Sequence, residues 1–468
     1  MVFSSFAFII YFLPIFLFFY FFVPSFCENA VILIGSLIFY YYGVKDQPEY
    51  LLLIILSVIV NYVVARMMVQ TQGEGGRKAW LTTGLFYNFG CLFIFKYLDF
   101  LLENITAAGR YLGQDLSLFP VNLVLPIGIS FYTFQISSYL IDVYRKEVKV
   151  EVSLLNLATY LCMFPQLVAG PIVTYSQVQR QLAERRTSWK NVEEGMREFT
   201  IGLASKVLIA NRVGGLWNQI GAIGFESIST PLAWLGTVAY SFQIYFDFYG
   251  YSLMAKGLGR IMGFTFPDNF DKPYLAKSMT DFWRRWHMTL GSWFREYVYI
   301  PLGGNRKHTY LNLLIVWMLT GLWHGASWNF VIWGLICFGL IALEKLGMGK
   351  VLNRYPLLGH TYMIVIIPVF WLVFAITDIG QLGIYFTRLF PFLADTSQAV
   401  FAGDFLKYLR MFALPLAASL FFCLPFAERI YCKKKHSLWM TLILVILFWL
   451  CMYSMYQGLD DPFLYYQF

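Results

Sequence analysis

Charge is scarce in this chain. Only 13% of its 468 residues are Asp, Glu, Lys or Arg, against about 25% in soluble domains. There are five histidines, and the seven cysteines (Cys27, Cys91, Cys162, Cys337, Cys423, Cys432 and Cys451) are scattered. No pair of them has metal-ligand spacing, so neither a metal site nor a disulfide framework is expected. The chain has no phosphate-binding glycine loop, no HExxH and no Gly-x-Ser-x-Gly elbow, which disfavours an ATP-driven pump or a hydrolase. Nothing in it has the form of a nucleic-acid-binding module, and no nucleic acid is expected as a partner. What fills the space is apolar: 59% hydrophobic and 20% aromatic residues, with a mean hydropathy of +0.59. This is the balance of a polytopic membrane protein whose main partner is the lipid bilayer.

Apolar runs recur along the chain: Phe6–Val23, Val31–Tyr42, Tyr50–Met68, Ala79–Leu102, Leu123–Val143, Leu154–Val173, Phe199–Trp217, Leu232–Leu253, Leu311–Trp323, Phe330–Leu346, Met363–Thr377, Phe405–Pro425 and Leu438–Met455. A span needs roughly 20 such residues, so the runs predict roughly 11–13 transmembrane or re-entrant helices. With no basic residue ahead of it, Phe6–Val23 reads as a retained first span and not a signal peptide. Residues 1–468 are read as one membrane-embedded domain, with 174–197 and 257–309 as cytoplasmic or interfacial insertions. The net charge of +8 lies in loops: Arg77-Lys78, Arg145–Lys149, Arg180–Arg197, Lys256–Lys307, Lys345–Arg354 and Arg429–Lys435. These are assigned to the cytoplasm by the positive-inside rule. The loop Asp378–Asp404, with Arg388 as a basic residue, and the tail Gln457–Phe468, with Asp460 and Asp461, are assigned outside.

Within this background His324 stands out, set in Thr320-Gly-Leu-Trp323-His324-Gly-Ala-Ser-Trp-Asn329. An ionisable group at membrane depth is costly and marks function by default, and imidazole suits proton transfer near neutral pH. Gly321 and Gly325 thin the helix and would let a substrate approach the backbone. His324 reads equally as a catalytic base in a cavity and as a hydrogen-bonding residue between helices.

A second anchor is Thr280-Asp281-Phe-Trp-Arg284-Arg-Trp-His287, continuing to Arg295 and Tyr297. Thr280 is expected to cap a helix. At about 100° per residue, Trp283, Trp286, Leu290, Trp293 and Tyr297 share one face. Arg284, His287, Gly291 and Arg295 share its neighbour. The turn Gly303-Gly304-Asn305, followed by Arg306 and Lys307, can offer backbone N–H groups to an anion. It reads also as a plain tight loop. Gln243, Asp247 and Tyr251 form a polar stripe at i, i+4, i+8. Asp247 orients a histidine or else pairs with an arginine. Phe164-Pro165 to Gly170-Pro171 predicts a broken helix buried in protein or lining a cavity. His308 and His436 lie in basic loops and read as solvated.

Several of these motifs, in their order along the chain, resemble the membrane-bound O-acyltransferase family. They are Leu125-Pro-Ile-Gly-Ile-Ser-Phe-Tyr, Phe164-Pro-Gln-Leu-Val-Ala-Gly-Pro, Tyr245-Phe-Asp-Phe, Asp281-Phe-Trp-Arg-Arg-Trp-His287, Tyr299-Ile-Pro-Leu-Gly-Gly-Asn-Arg306 and Trp323-His324-Gly-Ala-Ser-Trp-Asn329. The likeness is to the bacterial branch that O-acetylates alginate, with teichoic acid D-alanyl transfer more distant. It implies an all-α membrane body around a central cavity, in the bacterial inner membrane. Its essential histidine maps to His324 and its second active-site position to His287. Gln243, Asp247, Arg284, Arg295, Arg306, Lys307, Trp323 and Asn329 are then candidates for contacting substrate or donor. No permanently bound cofactor is implied; the donor is acetyl-CoA or an acyl carrier thioester. Relatives act beside an extracellular SGNH-type acetyltransferase, and a polysaccharide receives the acetyl group directly or through that partner. Where many relatives carry an acid after the Phe-Asp-Phe motif, this chain has Leu253. A lipid O-acyltransferase and a polysaccharide or lipid transporter are the competing readings. A transporter built of two repeated halves would be expected to repeat the break at Pro165 and Pro171, and the second half has no evident counterpart.

Overall fold

A computed structural model describes residues 2–114, 118–393, 401, 403–458 and 464. All regular structure among the described residues is helical. Five helices are long and apolar enough to cross a membrane: Ser25–Gly43, Glu49–Gln70, Trp328–Arg354, Pro356–Ala375 and Leu438–Tyr456. Counting each of two bent pairs as one span raises the number to seven. The other apolar runs form shorter, broken or more polar helices. Phe6–Val23 becomes the short helix Phe8–Phe22. Ala79–Leu102 bends by 60° between Glu74–Lys96 and Leu98–Tyr111. Val31–Tyr42, short by composition, starts earlier than its apolar residues do, because the polar Glu28 and Asn29 find partners inside the protein.

The chain forms two compact units. One comprises Ala7–Met196 with Ala255–Pro267; the other comprises Val2–Phe6, Arg197–Met254 and Asp268–Phe468. Of the segments read as insertions, 174–196 lies in the first unit, and 257–309 divides between the units after Pro267.

In the first unit, Ile129–Arg145 is buried on nearly every side. Gly84 lets its neighbour approach: a Cβ there would lie 2.5 Å from Leu140 Cδ1. Asn61 and Asn88 exchange amide hydrogen bonds at 2.8 Å in both directions, which ties Glu49–Gln70 to Glu74–Lys96 as polar groups do between membrane helices. The expected break is present and fully buried; it falls at Met163, between helices Leu154–Cys162 and Phe164–Leu167, with Pro165 in the first turn of the second. Its freed backbone groups find side chains. Ser36 Oγ accepts from Phe164 N (3.0 Å), Gln166 Nε2 donates to Tyr160 O (2.5 Å), and the Tyr160 hydroxyl donates to Val173 O (2.9 Å). Gly128, with φ +77°, sits against this segment; a Cβ there would meet Leu167 O at 2.4 Å. The segment read as the insertion 174–197 opens with an amphipathic helix, Tyr175–Ala183, started by a Thr174–Gln177 capping box. Arg185 pins its end to Glu28 (3.0 Å), Asn29 (2.5 Å) and the Phe264 ring.

The second unit is an aromatic lattice. Trp283, Trp317, Trp333, Phe370 and Trp371 form a continuous series of ring pairs with centroids 4.8–6.4 Å apart. Such pairs add about 0.5–1.5 kcal/mol each beyond their buried area. Outward faces are also apolar, as in Trp439, Ile446, Trp449 and Tyr453 on Leu438–Tyr456. A surface of that kind needs lipid as its solvent. The Asp378–Asp404 stretch is not a plain loop. It contains helix Ile379–Leu389, and Arg388 is buried with its guanidinium donating to Glu226 O. Residues 394–400 and 402, and the acidic tail positions Asp460 and Asp461, lie outside the described residues.

Candidate active site

The helix carrying Trp283 starts where sequence chemistry allows it. Ser278, not Thr280, is its cap: the Ser278 hydroxyl accepts from Asp281 N at 3.1 Å. Thr280 instead donates to Glu344, whose carboxylate also accepts from Met279 N (2.5 Å) and Thr280 N (2.9 Å). A carboxylate on exposed N–H groups at a helix N-terminus is favourable. The helix does not run on to Tyr297. It ends at Arg285, and a second helix covers Met288–Phe294. His287 is the hinge, in a left-handed conformation at φ +43°, ψ +53°. That region disfavours a residue with a Cβ. No glycine or proline marks the break, which is why periodicity read through it.

The loop residue Asn269 holds this hinge. Its carbonyl accepts from Met288 N (2.9 Å). Its side-chain Oδ1 accepts from Thr289 Oγ1 (2.9 Å) and Thr289 N (3.4 Å), and lies 3.0 Å from His287 Nδ1. Its amide donates to Ser252 Oγ at 3.1 Å. His287 therefore leaves the cationic face assigned to it by periodicity. It is 1% exposed, edge-on to Phe248 with centroids 4.7 Å apart. Burial pushes its pKa down to about 3, so the ring is neutral.

His324 closes helix Thr309–His324 and is buried. Trp323, Trp333 and Phe374 each meet its ring edge-to-face, with centroids 5.0–5.1 Å away. The Trp323 indole also contacts His287, at 5.9 Å. The two histidines, 37 positions apart in sequence, thus share one indole.

Gly321 and Gly325 serve this arrangement differently from the sequence reading. A Cβ on Gly321 would lie 2.3 Å from Phe330 O, and one on Gly325 would lie 2.1 Å from the Phe330 ring. They admit helix Trp328–Leu343, not substrate; Gly334, opposite, leaves the same kind of room for Trp317 O at 2.5 Å. Asn329 is fully buried. Its amide donates to Val373 O (3.3 Å) and Phe374 O (3.5 Å), and its Oδ1 accepts from Ser327. It fixes the turn after His324 to the end of helix Pro356–Ala375, where Phe374 touches His324.

The remaining candidates lie elsewhere. Asp247 forms an ion pair with Lys206, both buried, and also accepts from Leu464 N at 2.9 Å. Of the two roles open to it in sequence, it takes the pairing one, with a lysine in place of the arginine anticipated. It sits one residue before Phe248, which touches His287. Gln243 is buried beside Gly214, where a Cβ would meet its amide at 2.4 Å. Arg284, Arg295, Arg306 and Lys307 are exposed, as are His308 and His436. The Gly303-Gly304 turn uses its own N–H groups, since Gly303 N bonds Ile300 O and Gly304 N bonds Tyr299 O at 2.9 Å each. It is the plain tight loop and not an anion nest. Lys206, Asn269 and Glu344 were missed in the sequence. Their only signals were single polar residues beside apolar runs.

Comparison with known proteins agrees with the motifs. The model of the membrane-bound O-acyltransferase family (MBOAT) matches residues 39–387. The chain is 36% identical to the "probable alginate O-acetylase AlgI" of Azotobacter vinelandii, over 85% of this chain and 81% of that one. It is 37% identical to the protein of the same name from Pseudomonas aeruginosa, over 86% and 78%. It is 36% identical to the "peptidoglycan O-acetyltransferase" of Helicobacter pylori, over 71% and 68%. Paired buried histidines in a multi-pass helical membrane body and a match across most of the chain lead to one conclusion: the chain belongs to the membrane-bound O-acyltransferase family and is an O-acyltransferase.

Proposed function

We propose that the protein moves an acetyl group from a cytoplasmic thioester, acetyl-CoA or an acyl carrier, across the bacterial inner membrane for O-acetylation of an extracellular or cell-wall polysaccharide. The observation that carries this reading is the pair of buried imidazoles on the Trp323 indole. The names of relatives that acetylate alginate and peptidoglycan support the substrate class. His324 is the general base. It takes the proton of an acceptor hydroxyl as the oxygen attacks the thioester carbonyl carbon. The tetrahedral intermediate collapses, the C–S bond breaks, and the leaving thiolate recovers the proton from the His324 imidazolium. Trp323, Trp333 and Phe374 keep water from the ring and set its plane. An SGNH-type acetyltransferase on the outer side is the proposed partner that passes the group on to the polymer.

The test is His324→Ala in lipid nanodiscs with radiolabelled acetyl-CoA, beside a measure of membrane expression and thermal stability. Loss of a general base lowers the rate by about 10²–10⁴-fold. Acetyl transfer near the wild-type rate at equal expression removes His324 from the mechanism.

A further inference from the structure

We propose that Asn269 is the positioning residue that holds His287 as the Nδ1–H tautomer, so that His287 offers its Nε2 lone pair to an O–H or N–H of a bound substrate. The chemical identity of that substrate rests on the acyl-transfer reading above. The tautomer rests on geometry alone.

A backbone N–H can only donate. Thr289 N lies 3.4 Å from the Asn269 side chain, and the Thr289 hydroxyl donates to the same atom at 2.9 Å. That atom is therefore the carbonyl Oδ1, with the amide turned to Ser252 Oγ on the far side (3.1 Å). Rotating the amide by 180° would set its hydrogens against Thr289 N–H, so the orientation is chosen by an obligatory donor. The same Oδ1 is 3.0 Å from His287 Nδ1. An oxygen that carries no hydrogen at this distance requires one on the nitrogen. A neutral imidazole has a single ring proton, so Nε2 is the bare nitrogen.

The ring stays neutral because burial opposes its charge and the charged groups on neighbouring elements are engaged or turned away. Asp247 meets Lys206. Arg285 meets Asp281 and Asp271. Asp268 and Arg284 are exposed. His324 lies across the Trp323 indole. Nε2 is buried with no hydrogen-bond partner among the described residues. An unsatisfied buried acceptor costs about 1–3 kcal/mol, and a left-handed non-glycine backbone costs a further amount of about the same size. Two such costs at one residue, a single indole away from His324, fit a site whose missing partner is the substrate. In this tautomer His287 receives a hydrogen and does not stabilise an oxyanion. It orients what His324 activates, through a hydrogen on either the hydroxyl acceptor or the thioester donor.

The test is nitrogen NMR on full-length protein in nanodiscs, with ¹⁵N-labelled imidazoles and His287→Gln to identify the resonance. The expected result is a protonated Nδ1 and a bare Nε2, unchanged from pH 5 to 8, with mixed tautomers in Asn269→Ala. A proton on Nε2 in the wild type, or an unaltered tautomer in Asn269→Ala, overturns the proposal. If Asn269→Ala does not fold, Asn269→Asp keeps the acceptor for Thr289 and adds a negative charge beside Nδ1. His287 should then become an imidazolium within that pH range, and a ring still neutral at pH 5 overturns the proposal. Kinetics separate the two sources of the hydrogen. In folded Asn269 variants, KM should rise about tenfold, as for one lost hydrogen bond, for the acceptor if its hydroxyl is the donor, or for the thioester if its amide is. Both KM values unchanged with a lowered kcat would mean oxyanion stabilisation instead, and would sink the role. Because the NMR readout needs no turnover, an acyl-transfer reading that fails leaves it intact, whereas the wrong tautomer in an active enzyme sinks this inference alone.

Discussion

Replacing Asp247 by asparagine should destabilise the protein strongly, and adding Lys206→Met should restore it. Both side chains are almost fully enclosed, at 4% and 2% exposure. Removing one partner leaves a buried lysine charge without its carboxylate, which costs about 3–5 kcal/mol. Replacing both with neutral groups of similar volume is about neutral, or stabilising by up to about 4 kcal/mol. The asparagine in the double variant still offers an oxygen to Leu464 N, so that contact survives. At roughly 2–4 °C per kcal/mol for a unit of this size, Asp247→Asn should lower the melting temperature by about 6–20 °C. The double variant should return close to wild type. Thermal unfolding in detergent, followed by tryptophan fluorescence and paired with the acetyl-transfer assay, reads both quantities. In this account Asp247 acts by bracing the helix that presents Phe248 to His287, so the double variant should also regain most of its activity. A double variant that is stable but inactive would refute the reasoning, and would return Asp247 to the role of a group acting directly on the reaction.

Stability should fall with acidity through His287. Its folded pKa, about 3, lies below the ordinary 6.5, so between those values the unfolded chain binds the extra proton and stability drops as pH falls. The slope is about 1.4 kcal/mol per pH unit for one proton, and His287→Gln should be measurably flatter between pH 6.5 and 5 in melting experiments. Gly321→Ala should lower folded yield, since its Cβ would lie 2.3 Å from Phe330 O and overpacking of this kind costs about 1–3 kcal/mol. Gly339→Ala in the facing helix, with open space around it, is the matched control, and equal yields would contradict the packing argument. Arg306 and Lys307, exposed and named above as candidate donor contacts, would meet the CoA phosphates if they fill that role; neutralising both with glutamine should then weaken acetyl-CoA binding and flatten its salt dependence. Unchanged affinity at two ionic strengths leaves them as topological anchors.

Composition and motif order alone determined a helical membrane protein, its family and the two histidines worth attention. A low charge content over long apolar runs has only one solvent in which it folds, and an imidazole among tryptophans is rare enough to be read locally. The break ahead of Pro165 was legible for a similar reason, because proline has no N–H with which to continue a preceding helix and is tolerated only in a first turn. Tertiary structure decided what depends on residues distant in the chain. Gly321 and Gly325 look the same in sequence whether a substrate or a helix fills the space beside them, and Phe330 fills it. Asp247 could pair with many cations, and burial beside Lys206 selected one. The left-handed turn at His287 has no local cause, since it is held by Asn269 from 18 positions earlier, and so the face on which His287 lies could not be found by counting at 100° per residue. Periodicity describes a helix as long as nothing outside it intervenes; here a hydrogen bond from a loop interrupts the helix and turns the imidazole from a cationic surface into the aromatic interior.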